Sequence, residues 1–432
     1  MYRRYRSEHW RRRRLRRSRL RLGVLVAGVV AVAVAGTAAV LVRGGHSGSS
    51  AVRQTGATTG LRVSPSPSAS PRASATASPH PSATPSVSVS PFVWTGPASS
   101  TLRLKQRTVI TGTISPKSVV ATQNGYVFAQ NMMYRHTITV YNDRTYRLVK
   151  TIQDTCNLSQ YGYARYAQTV RGAPVEAAVS ADGKSMYVSN YSMYGPGFTR
   201  EGHDVGSPSS GFDRSFLYRV NLSNLRIDQA TQVGVVPKYV ATTPDGKFVL
   251  VSNWCSYNLS VVSVKSGKQV RQIPLGPYPR GIVVDSASRF AYVAVMGTTN
   301  IARIDLRTFA VRWLRGVGSS PRHLCISPDD RWLYVSLNGE GTVAKIDLRA
   351  LRVVRKVSTG SQPRSMTIAP DGASLYVVNY NTGTVSKVRA SDMRVLQTIR
   401  TNWNPIGITY VAARKDVWVA CYGGSIMVFH DT

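Results

Sequence analysis

From Pro116 to the C-terminus, short apolar stretches alternate with polar turns in a repeating order. The stretches "SLYVVN", "WLYVSL", "SMYVSN" and "FVLVSN" alternate apolar and polar positions, the period of a half-buried β-strand. Each is preceded by a turn: Pro244–Gly246, Pro370–Gly372, Ala181–Gly183 or Pro328–Asp330. Pro presets φ, and Asp-Gly supplies the positive φ of a tight turn. A strand such as "RSMTIA" precedes the turn. A third such as "TVAKIDL" and a fourth such as "RVVRKV" follow the alternating one, and the fourth leads to Gly and the next Pro.

The Pro residues fix the period. Pro237, Pro279, Pro321, Pro363 and Pro405 stand 42 residues apart. Pro174 and Pro116 extend the series upstream, with insertions before Pro237 and Pro174. That makes seven units of four strands each, the signature of β-propeller blades. "LYVVNYNTGTVSKV" and "LYVSLNGEGTVAKIDL", with the turns "SPDD", "APDG" and "TPDG", resemble the YVTN family of surface-layer and lactonase-like propellers. The resemblance spans about 101–432. It implies the fold and leaves function open, since propellers host binding, lyase and lactonase activities alike. The last unit, from Asn402 to Thr432, has three strands; "TLRLKQRTVITG" at 101–112 reads like the missing fourth. The fold class expected is therefore all-β: a seven-bladed propeller closed by its N-terminal strand, which removes the open seam. A six-bladed ring with a frayed remnant is the alternative.

The residue after each Pro is Lys117, Val175, Lys238, Arg280, Arg322, Arg364 or Ile406. In a propeller these positions lie on the first, channel-lining strand of each blade, at one mouth. The repeat thus predicts a ring of five cations around that mouth. In water, like charges about 10 Å apart repel by only about 0.4 kcal/mol per pair. Such a ring is therefore tolerable without a ligand, and equally fit to hold an anion. Both large insertions, 153–172 and 191–214, fall on the same face, where long loops on a rigid scaffold carry function. Their Tyr161, Tyr163 and Tyr191 are candidate ligand contacts; packing of the insertions onto the ring is the competing role. Cys156, Cys255, Cys325 and Cys421 form no CxxC pair. One disulfide from Cys156 is compatible with their placement, and Cys325 reads as a buried thiol.

No GxSxG, HExxH, phosphate-loop or dinucleotide motif occurs, and no cofactor or metal site is predicted. The acid–base candidates at the mouth are Glu176, His323, His203 and Glu201. They would serve a lyase- or lactonase-like alternative to a binding or sensing module.

The N-terminal hundred residues differ in kind. Residues 1–21 hold eleven Arg and one Glu, and residues 22–42 form an uncharged apolar run of 21. At about 1.5 Å per residue such a run spans a bilayer core. Arg on its N-terminal side orients the remainder outward. The expectation is a basic cytoplasmic segment (1–21), a transmembrane signal-anchor (22–42), a disordered Ser/Pro/Ala/Thr-rich linker (43–100) and an extracytoplasmic propeller (101–432). Secretion after cleavage near Ala35 is the alternative. Net charge is +35, and 40 basic residues against 19 acidic ones lie within 101–432. This favours anionic partners: a small ligand, a wall polymer or an acidic protein surface. Export disfavours nucleic acid.

Overall fold

The computed structural model describes residues 94–122 and 124–432. The expected anchor and nearly all of the expected linker lie outside the described residues. Among the described residues, no helix is long and apolar enough to cross a membrane.

Seven antiparallel sheets follow one another along the chain. Blade one runs from Ser118 to Gln153, blade three from Pro237 to Pro274, blade four from Pro279 to Leu314, blade five from Pro321 to Ser358 and blade six from Pro363 to Arg400. Each has four strands, in chain order from the channel outward. Apolar faces of adjacent sheets pack on each other. Leu250, Leu259 and Val261 of blade three, for example, meet Ile282, Ala291 and Val293 of blade four. This inter-sheet burial is the main stabilising term for a propeller whose described residues form only short 3-10 helical turns beside the strands.

Blade seven closes the ring as the sequence predicts. Its strands Pro405–Val411, Asp416–Cys421 and Ser425–Asp431 are completed by Leu104–Ile110 from the other end of the chain. Leu104 lies opposite Asp431 and Ile110 opposite Ile426. Arg103 N–H donates to Thr432 O at 2.7 Å, and Thr432 N–H returns the bond at 2.9 Å. The incoming chain is pinned to the opposite, lower face as well. Ser99 donates its N–H and hydroxyl to Asp371 at 2.6 and 2.8 Å. Asp371 belongs to the turn between the first two strands of blade six.

Blade two departs from the pattern. Its first two strands, Thr169–Val179 and Ser185–Tyr194, are long, and a short strand, Thr155–Asn157, pairs beside the first to make a five-stranded sheet. The first insertion is thus a structured part of the sheet rather than a free loop. No disulfide forms. All four cysteines are free, with Cys255, Cys325 and Cys421 buried and Cys156 half-buried, so the expected Cys156 bridge is absent.

Candidate functional site at the upper channel mouth

The approach to the first strand has the same local form in blades three to seven. The residue before Pro is left-handed in each: Val236 (φ 52°), Tyr278 (62°), Ser320 (54°), Gln362 (54°) and Asn404 (55°). None is glycine, and for β-branched Val236 this conformation is strained. The carbonyl so turned accepts a bond from the residue just after the second strand. The donors are Trp254, Met296, Asn338, Tyr380 and Tyr422 N–H, at 2.9–3.0 Å. Immediately after Pro the strand slips register against its neighbour, at Pro237/Tyr239, Pro279/Ile282, Pro321/His323, Pro363/Met366 and Pro405/Gly407. Such a bulge takes its residue out of the ladder and re-aims the side chain. In blades three to six the residue it frees is the cation.

Seryl hydroxyls of neighbouring blades then fix the backbone of these positions. Ser252 donates to Arg280 O at 2.7 Å and Ser336 to Arg364 O at 3.3 Å. Neighbouring blades approach closely here. A Cβ at Gly281 would stand 2.7 Å from Arg322 O, and one at Gly407 would stand 2.7 Å from Ser118 Cα. Glycine is required at both for the ring to close around its channel.

The five cations converge, four of them buried and Arg364 half-buried, rather than fringing solvent. Lys117, Lys238, Arg280 and Arg322 expose 4–6% of their surface. The sequence-based repulsion estimate in water therefore does not apply to them. Among the described residues, two carboxylates answer them. Glu176 Oε1 lies 3.3 Å from Lys117 Nζ and 3.5 Å from Arg280 Nη2. Asp204 Oδ1 lies 2.7 Å from Lys238 Nζ. Burial, with repulsion from Arg280, Arg322 and Lys238, outweighs Glu176 and holds the Lys117 pKa well below the ordinary lysine value. Burial likewise depresses Lys238 to about 8, against the attraction of Asp204. Arg322 is depressed by burial and then by Arg280 and Arg364. Burial also lowers Arg280 and Arg364.

A second ring, of side chains near the ends of the second strands or just after them, supports the first. Lys238 Nζ sits 4.2 Å from the Tyr191 ring centre and 5.3 Å from that of Trp254. The Arg364 guanidinium lies 3.6 Å over Tyr380, and Arg322 Nη1 meets Met296 Sδ at 3.7 Å. These contacts leave guanidinium edges free. Arg280 Nη1, Arg322 Nε and Arg364 Nε are buried and have no hydrogen-bond partner. Buried donors of this kind are ordinarily satisfied.

The remaining predicted residues fall into separate groups. Tyr191 belongs to the mouth, donating its hydroxyl to Asp204 at 3.1 Å. Tyr161 and Tyr163 pack against Phe216 and the outer strand of blade two. Tyr161 donates to Ile227 O at 3.2 Å, and Tyr163 OH accepts from Gln232 N–H at 2.8 Å. Glu201 is exposed and accepts from the Tyr194 hydroxyl. His203 is exposed, while its neighbour Asp204 is fixed by Lys238, Tyr191 and the Trp254 indole, which donates to Asp204 O at 2.9 Å. His323 lines a cavity of about 390 Å³ within the channel, together with Glu176, Tyr239 and Ser365. Its Nε2 is 3.0 Å from Tyr239 OH, and its Nδ1 accepts from Met366 N–H at 3.4 Å. Burial and the nearby cations push its pKa down to about 3, so it is neutral at physiological pH.

Asp204 is among the polar candidates that the sequence places on this face, but its pairing with Lys238 has no signal in the sequence. The aromatic and Met ring leaves a faint signal, a large residue after "SN", "VN" or "AV" in "SNY", "SNW", "VNY" and "AVM".

Residues 322–408 match the family model of the Cytochrome D1 heme domain. That is a β-propeller family, and the matched span is blade five from Arg322, blade six and the start of blade seven. No curated protein matches the chain. The matched segment holds a single histidine, His323, whose two ring nitrogens are engaged inside the channel wall, so it offers no free imidazole nitrogen to a haem iron. Among the described residues, no group of three or more His, Cys, Asp or Glu is placed to hold a metal ion. The match therefore carries the fold.

Proposed function

We propose that this chain is a propeller binding module whose upper mouth takes an anionic ligand, presented as a free small molecule, on a wall polymer or on a partner protein. One observation carries the reading: the buried Arg280 and Arg322 and the half-buried Arg364, on consecutive blades, each keep a buried N–H without an acceptor. Burying an unpaired charge is costly unless something pairs with it. Local backbone strain before each Pro and a bulge after it, repeated blade by blade, aim those groups at one place. Arrangements of that kind are characteristic of ligand sites.

Membrane tethering through residues 22–42, with the propeller outside the cytoplasm, belongs to the same proposal. It rests on the apolar run and the Arg block before it. Acid–base catalysis at the mouth is not proposed. Glu176 is committed to Lys117 and Arg280, and His323 is neutral and hydrogen-bonded on both nitrogens.

The test is calorimetric titration of the full-length protein with a panel of small anions. Arg322→Gln together with Arg364→Gln should abolish binding. Arg352→Gln with Arg355→Gln, on the outer strand of blade five, should leave it intact. Equal binding by all three proteins would place the anion elsewhere and sink the reading.

A further inference from the structure

The mouth is asymmetric, and the asymmetry narrows the ligand. Lys238 has its own carboxylate in Asp204, and Lys117 shares Glu176 with one edge of Arg280. The unanswered positive charge therefore lies on blades four, five and six. At the mouth, Arg280 Nη1, Arg322 Nε and Arg364 Nε are buried N–H groups without acceptors. The other contacts of these arginines are weak. Arg322 Nη1 reaches a thioether at 3.7 Å, and Arg364 Nη2 a neutral amide oxygen, Gln362 Oε1, at 3.3 Å.

Valence decides between anion classes. Five basic groups, four of them buried, face two carboxylates, so the mouth carries an excess of positive charge. A monocarboxylate brings one charge and two oxygens, so it leaves most of that excess uncompensated. A phosphate monoester or inorganic phosphate carries roughly 1.5 to 2 negative charges at neutral pH and three acceptor oxygens. Guanidinium forks match phosphate geometry, and their delocalised charge tolerates a desolvated setting better than an ammonium does. Three arginines from three successive blades can each serve one oxygen. A phosphodiester, with one charge and two free oxygens, satisfies fewer of them.

We infer that the sector formed by Arg280, Arg322 and Arg364 is a seat for a terminal phosphate group, either inorganic phosphate or a phosphomonoester; this rests on the anion-binding reading above. Tyr380, beneath Arg364, holds one guanidinium flat, so that its edge rather than its face is presented. Lys238 and Asp204 form the opposite flank and are already paired, so they tune the field of the site without having to grip the ligand.

The experiment is isothermal titration of the full-length protein, at fixed ionic strength, with orthophosphate, phenyl phosphate, dimethyl phosphate, acetate and citrate. Orthophosphate or phenyl phosphate should bind, with dimethyl phosphate and acetate weaker by about tenfold or more, a gap of about 1.4 kcal/mol. Tighter binding of phenyl phosphate than of orthophosphate assigns the seat to esters; equal binding assigns it to the free ion. Arg322→Lys keeps the charge and removes the fork, and should lose about tenfold in affinity while its thermal melt stays cooperative. Citrate or acetate binding without phosphate binding would overturn this inference and leave the anion-binding reading in place. Silence from every anion would overturn both.

Discussion

The side chains of Lys387 and Asp431 form an ion pair with both groups fully buried. Asp431 also accepts from the Tyr376 hydroxyl, and Lys387 Nζ donates to Leu102 O at 2.9 Å. Blade six thereby grips both ends of the propeller, the incoming strand and the penultimate residue of the chain. Asp431→Asn leaves Lys387 buried without its counter-charge, and should destabilise the protein by about 3–5 kcal/mol. Urea denaturation measures it. Lys387→Met combined with Asp431→Leu should recover much of the loss, because an apolar pair of similar volume leaves no orphan charge.

Glu176 holds Lys117 and Arg280 at once. Glu176→Gln removes half of the negative charge at the mouth. It should lower the melting temperature, by the equivalent of about 3 kcal/mol, and tighten anion binding. The two effects have opposite signs, which a general acid or base would not give. Paired melting and titration experiments check both.

Lys238 ties the mouth to pH. Its folded pKa is about 8 against an ordinary 10.5, chiefly through burial, with Arg280 and Arg322 adding repulsion and Asp204 opposing both. Between those values the unfolded chain binds more protons than the folded one. Its contribution to stability therefore rises as pH climbs through that window. Anion affinity should fall around pH 8, the folded pKa, as the mouth loses a charge. Titrations from pH 7 to 9.5 should show the decline in the wild type, and Lys238→Met should flatten it.

His323 sets a different limb. Its folded pKa, about 3, lies below the ordinary 6.5, with burial the main cause and Arg280, Arg322 and Lys117 adding to it. The unfolded chain takes up the proton first, so stability contributed here is present above pH 6.5 and is lost as pH falls toward 3. His323→Gln should make the melting temperature less steep between pH 6.5 and 4.

Gly281 and Gly407 mark where neighbouring first strands nearly touch. Gly281→Val would drive its side chain into Arg322 O and His323 Cα. A loss of about 1–3 kcal/mol is expected from overpacking, with weaker anion binding because Arg322 shifts. Retained affinity would show that the Arg322 position does not matter to the ligand.

The fold was legible because each blade repeats the same burial pattern with Pro in register; even ring closure followed from a missing strand at one end and a surplus one at the other. The cation ring was legible for the same reason. Its burial was not: of the residues that enclose it, Trp254, Met296 and Tyr380 follow the second strands and read locally as loop, and Tyr191 lies in an unexpected extension of the second strand of blade two. Nor was its aim. Val236, Tyr278, Ser320 and Gln362 carry no left-handed turn signature, and they adopt positive φ only because a partner N–H across the blade holds the carbonyl. Tyr161 and Tyr163 looked like free loop contacts because a three-residue strand, Thr155–Asn157, is too short to announce the sheet that anchors their insertion.

The most direct measurement is the melting temperature of Arg322→Met/Arg364→Met against wild type, without multivalent anions and at low salt. If those arginines are held unpaired for a ligand, replacing them with apolar side chains should stabilise the protein by about 1–4 kcal/mol and abolish any stabilisation by added phosphate. A double variant that melts well below wild type, or still gains stability from phosphate, would contradict a mouth built to hold an anion.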